Sequence, residues 1–143
     1  MHDILEGIAP MLIKLIFNDI VNCEKSITID EINKIIMDFN YGFVESRDKP
    51  SPSFSLKNIK PPGYSIPQSA AQTWTLLRAF PFMFHANIVS NTNYVDLIGS
   101  LLRITFFAFS NKLYVAQIGD LKQEIQSFHK LFRVCFPTVN FIN

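Results

Sequence analysis

Apolar residues recur at every third or fourth position through most of the chain, the spacing of helices with one buried face. In residues 4–21, Ile4, Ile8, Leu12 and Leu15 trace one stripe, Met11 and Ile16 widen it, and Asp19 ends it. Pro10 removes a backbone donor inside this run, so the pattern predicts either a kink there or a helix that begins near Ala9. Gly7 weakens the first turn. The second helix starts at Thr28, where Thr28 and Glu31 have the spacing of a capping box. Ile29, Ile32, Ile36 and Phe39 follow at helical intervals, and Gly42 is the predicted C-terminal stop. Residues 45–66 then lose the periodicity. Pro50, Pro52, Pro61 and Pro62, among Ser51, Ser53 and Ser55, predict a long extended loop.

Three more helices follow. The third covers residues 67–85, with Ser65 and Gln68 as a second capping box and Trp74, Leu77, Phe80 (or Pro81) and Phe84 on the buried side. Pro81 should kink or end it, and residues 87–93 are polar and turn-like. The fourth, residues 94–109, is apolar nearly all round and is the predicted central, buried helix. Its mid-helix charge, Arg103, must reach a partner or the surface. The last, residues 112–136, carries Ile118, Leu121, Ile125, Phe128, Phe132 and Cys135 at alternating intervals of three and four, and stops at Pro137. Lys122, Glu124, Gln126 and Lys130 lie off that stripe and should be wet. The expected fold class is all-α: an irregular bundle of about five helices with one long Pro/Ser-rich loop. Residues 1–143 read as a single helical domain. It comprises a helical hairpin (1–44), the loop (45–66) and a three-helix portion (67–143).

Composition sharpens the functional expectation. Thirteen Lys and Arg against twelve Asp and Glu leave a formal net charge of +1, too small a field to attract nucleic acid or an anionic membrane by itself. Charged residues make up 17% of the chain and 14 residues are Phe. So much apolar surface predicts either an unusually well-packed fold or a face awaiting a protein partner or the remainder of its own domain. Residues 94–110 carry Asp96 and Arg103, unlike a membrane-spanning helix, and no membrane association is expected. Asp3 and Glu6 stand where a secretory signal would be basic, and Cys23 and Cys135 form no CxxC pair. The expected setting is intracellular, with reduced thiols.

No complete catalytic set emerges, no catalytic residue is predicted, and no cofactor is expected. His2 and Glu6 are one helical turn apart and are the candidates for touching a metal, but they lack the second histidine of an HExxH pair. Acidic residues in a first turn are also what the helix dipole favours. His85 is read as a cation at a helix end and His129 as a flank of the packing stripe. Nothing gathers serine, histidine and acid into a nucleophilic set. The neighbouring carboxylates Asp30 and Glu31 are accounted for by the cap, and Asp120 and Glu124 by a solvated face. Arg47, Lys49, Lys57 and Lys60 make the 45–66 segment mildly basic and are the candidate nucleic-acid contacts.

Five stretches, in order, resemble a family of transposon-derived, transposase-like proteins related to CACTA-type transposases. They are MHDILEGIAP with IKLIF, then DFNYGF, SIPQSAAQTWTLLRAFPFMF, LIGSLLRITFFAF and FHKLFRVCFP. The resemblance implies that the chain is an internal helical segment of a larger protein whose ribonuclease-H-like catalytic portion lies elsewhere. His2 would then match the histidine of an acid-x-x-His signature. DNA would be a partner only of the full-length ancestor, and the location would be nuclear. Pro10 departs from the helix-friendly residue of the family pattern. The expected function is a transposase-derived helical segment without catalytic activity of its own. The alternative is a helical protein–protein interaction module with an exposed apolar face.

Overall fold

The computed structural model describes residues 3–139. Among them every regular element is helical and there is no strand. Eight α-helices form, rather than about five, because short helices fill segments that lack a long apolar period. The chain packs as two compact units, Met1–Ser90 and Asn91–Asn143.

The first unit is built around a continuous helical run. Asp3–Ile8 winds as a π-helix, α1 spans Ala9–Asn18, and Asp19–Cys23 winds as π again. Pro10 therefore marks a change of winding, not a break. Its missing N–H falls where wide turns give way to α turns, so no regular bond is lost from the middle of a uniform ladder. Every residue from Ala9 to Phe17 is buried. This corrects the expectation that residues 94–109 form the helix buried all round. APMLIKLIF has one polar side chain, Lys14, whose Nζ reaches the Ser65 carbonyl at 3.5 Å.

Helix α2 spans Ile29–Asp38 behind the expected cap: the Thr28 amide donates to Glu31 Oε2 at 2.8 Å and the Glu31 amide to Thr28 Oγ1 at 3.2 Å. It ends at Phe39, which is extended. Gly42, with φ of +72°, opens α3 (Gly42–Glu45) instead of stopping α2.

Residues 45–66 are not the extended loop that their prolines predict. They hold a 3-10 turn, Ser46–Asp48, and α4, Leu56–Ile59, and they bury Phe54, Ile59 and Ile66. Two side-chain amides pin this segment. Asn33 Nδ2 donates to the Phe54 carbonyl at 2.9 Å while its Oδ1 accepts the Phe54 amide at 3.0 Å. Gln68 treats Ser51 in the same way, both bonds measuring 2.7 Å. Each amide imitates a strand neighbour, so the backbone is satisfied without a sheet.

That use of Gln68 moves the next cap. Helix α5 spans Ala70–Met83 and is capped by Ser69 with Gln72, not by Ser65 with Gln68. Pro81 lies inside α5, which continues to Met83, and α6, His85–Ile88, runs into the stretch 87–93 expected to be a turn. Leu77, Phe80 and Phe84 are buried as expected, whereas Trp74 is half-exposed under the Arg78 guanidinium, 4.6 Å away. The core centres on Phe17, whose ring meets Phe54 edge-on at 5.0 Å, Phe84 at 5.1 Å and Phe80 at 5.4 Å.

The second unit is a pair of helices, α7 (Thr92–Ala108) and α8 (Val115–Cys135). They run antiparallel: Tyr94 stacks on Phe136 at 5.7 Å, and Arg103 near the other end pairs with Glu124 at 2.9 Å. Helix α7 buries Leu97, Ile98, Leu101 and Thr105 but leaves Val95 and Phe106 outside, so it has one buried face. The α8 stripe divides along its length. Phe128 and Phe132 are buried, while Ile125 is 38% and Ile118 54% exposed.

Candidate functional site

The residues singled out for metal chemistry do not assemble into a site among the described residues. His2 lies outside them. Glu6 is exposed in the first π turn. No three of His, Cys, Asp and Glu converge there to hold a metal. His85 opens α6 rather than ending a helix, and it is exposed. His129 is exposed on α8, edge-on to Phe128. Neither cysteine forms a disulfide. Desolvation, followed by the Asp19 carboxylate, pushes the Cys23 thiol above its usual range, away from the nucleophilic thiolate.

Arg47, Lys49, Lys57 and Lys60 are all exposed, but on separate pieces. Arg47 belongs to the 3-10 turn, and the carbonyl of Lys49 accepts from Gln72 Nε2 at 3.1 Å. Lys57 lies in α4 and Lys60 at its C-terminal end. Of the four, Lys57 reaches a groove, a cavity of about 850 Å³ between the end of the first helical run, the start of α2 and the start of α4. Ile27 and Phe54 form its buried floor, and Lys25, Asp30, Leu56 and Lys57 stand exposed at its rim. Sequence reasoning missed Lys25. Its signal is a polar CEKS turn between two helices, and its φ of +54° is the one positive value at a non-glycine residue among the described residues.

A smaller cavity of about 180 Å³ lies beside α5 and is lined by Tyr41, Glu45, Thr75, Arg78 and Phe82. Glu45 Oε2 accepts from Arg78 Nη2 at 2.6 Å and from the Thr75 hydroxyl at 3.3 Å. Tyr41 donates its hydroxyl to the Ile36 carbonyl at 2.7 Å, and burial pushes its pKa up to about 12. These bonds tie α3 to α5 and α2 to the segment after it, which is structural work.

Exposed apolar side chains occur at Phe43, Val44 and Phe82 of the first unit and, in the second, at the end of the α7–α8 hairpin where the two helices join. Phe106 is 73%, Tyr114 68%, Val115 87% and Ile118 54% exposed. Arg103 and Glu124 bound this end: Arg103 Nε and Nη2 and the Ser100 hydroxyl all donate to Glu124 Oε1, at 3.1, 2.9 and 2.6 Å. Those bonds, Arg103 first, hold the Glu124 carboxyl below its ordinary value. No helix among the described residues is long and apolar enough to cross a membrane. Comparison with protein-family models, with curated proteins and with solved structures finds no match to this chain.

Proposed function

We propose that the chain is a helical protein–protein interaction module, without catalytic activity of its own, whose contact surface is the joined end of the α7–α8 hairpin. One observation carries this reading: Phe106 in the last turn of α7 and Tyr114, Val115 and Ile118 at the start of α8 expose large apolar side chains on a hairpin braced by the Ser100–Arg103–Glu124 bonds. Large apolar side chains grouped on a rigid element are the usual anchors of a protein interface. The surface suits an apolar helical face of a protein partner. The test is the double variant Val115→Glu, Ile118→Glu. Both positions lie in the first turns of α8, where an acid favours the helix, so folding should survive. The expected result is an unchanged helical circular dichroism spectrum with a clear loss of anilinonaphthalene sulfonate fluorescence. Undiminished dye binding would contradict the reading.

A second reading rests on the five ordered stretches that resemble transposase-like proteins. They fall on α1, the bend between α2 and α3, α5, α7 and α8, the elements that build both units. In this reading the module is a helical segment of transposase descent. DNA contact, with Arg47, Lys49, Lys57 and Lys60 as its candidates, and a nuclear location belong to the full-length ancestor. The purified chain should neither nick nor join DNA with magnesium or manganese, and metal-dependent strand transfer by it would overturn this reading.

A further inference from the structure

The groove on the first unit has features that the hairpin surface lacks. Its walls are fixed before any ligand arrives. The Thr28–Glu31 box holds the start of α2. The Ser55–Asn58 box, with bonds of 2.7 and 3.2 Å, holds the start of α4. The paired Asn33–Phe54 bonds lock one wall to the other. Its floor is apolar, with Ile27 and Phe54 buried and Leu56 at the edge 52% exposed. Lys25 and Lys57 stand at the rim, and neither ammonium has a hydrogen bond or ion pair among the described residues. The carboxylate at this rim, Asp30, is in the first turn of α2, where the helix dipole accounts for it. Of the residues that line the groove two are cations and one is an anion, and the Glu31 carboxylate beside them is taken up by the Thr28 cap. The groove is open rather than enclosed, so it would cover one face of an occupant. That suits a strand of peptide better than a small molecule, which a binding pocket normally encloses on most sides.

We propose that this groove binds an extended peptide segment of a protein partner in which acidic and aliphatic side chains alternate. The aliphatic side chains would lie on Ile27, Phe54 and Leu56, and the carboxylates would meet Lys25 and Lys57. Alternation follows from strand geometry, which sends successive side chains to opposite sides, toward the floor and toward the rim.

The test uses the full chain, isotope-labelled for amide NMR, titrated with an acetylated hexapeptide of alternating leucine and glutamate. Leucine–glutamine and leucine–lysine hexapeptides and octanoate serve as controls. The expected result is saturable shifts at the amides of Lys25, Ile27, Leu56 and Lys57 with the glutamate peptide. The glutamine peptide should bind about fivefold more weakly, as expected for two exposed ion pairs. Lys25→Gln with Lys57→Gln should bring the glutamate peptide down to the glutamine level without changing the helical signal, because both side chains are exposed. Four results would each overturn the proposal: equal binding of the glutamate and glutamine peptides, shifts confined to α7 and α8, binding of octanoate without the peptide, or no binding at all.

Discussion

Lys14 and Tyr41 show what single buried groups impose on this chain, and they pull in opposite directions with pH. Burial lowers the pKa of Lys14 below 10.5. Between that lowered value and 10.5 the unfolded chain holds a proton that the folded chain has released, so Lys14 makes stability rise with pH. Burial raises Tyr41 from 10.0 to about 12. Its neutral form is favoured by the fold, so its contribution is whole below pH 10 and is lost as pH climbs toward about 12. A spectrophotometric titration at alkaline pH should therefore show a late tyrosine ionisation that belongs to Tyr41. Tyr41→Phe should remove that late step and, through the lost bond to Ile36, cost about 1 kcal/mol in urea denaturation. Lys14→Met should leave stability unchanged or raise it by about 1 kcal/mol, because the long contact to Ser65 offsets little of the desolvation. A substantial loss in that variant would show that the ammonium is better solvated than its place in α1 implies.

At the scale of elements, the capping residues decide where helices begin, and they can be tested pairwise. Ser69→Ala should destabilise the chain by about 1 kcal/mol, because the Gln72 amide loses its acceptor. Ser65→Ala should change little, since that hydroxyl caps nothing. Equal effects from both would contradict the assignment of α5. Phe17→Ala should be far more damaging, about 3–5 kcal/mol, because three aromatic rings lose their common neighbour. The same elements explain what was legible in the chain. The Thr28 cap, the long helices and the burial of Phe80 and Phe84 follow from local spacing and were readable. The fold of residues 45–66 was not, because Asn33 and Gln68 act there across gaps of 21 and 17 residues, and no local pattern encodes a side chain bonding to a distant backbone. Burial of α1 on every side from Ala9 to Phe17 was likewise hidden. A stripe fits one packing face, and neighbours from several other elements close over the rest. The groove rim was half visible: Lys57 stood out as basic, whereas Lys25 became relevant only once α2 and α4 were brought beside it.

Across the whole molecule, apolar content divides between work done inside and work left for a partner. The first unit spends much of it on α1 and the Phe17 cluster, and the second leaves the joined end of its hairpin uncovered. In the isolated chain, another copy can cover this end, so association should appear at high concentration. Multi-angle light scattering on the eluting protein, wild type beside Val115→Glu, Ile118→Glu, tests that claim directly. The wild type should elute as a discrete species heavier than the 16.4 kDa chain, and the variant at the monomer mass. Equal masses for the two proteins, or a polydisperse aggregate that the charges do not resolve, would contradict the account.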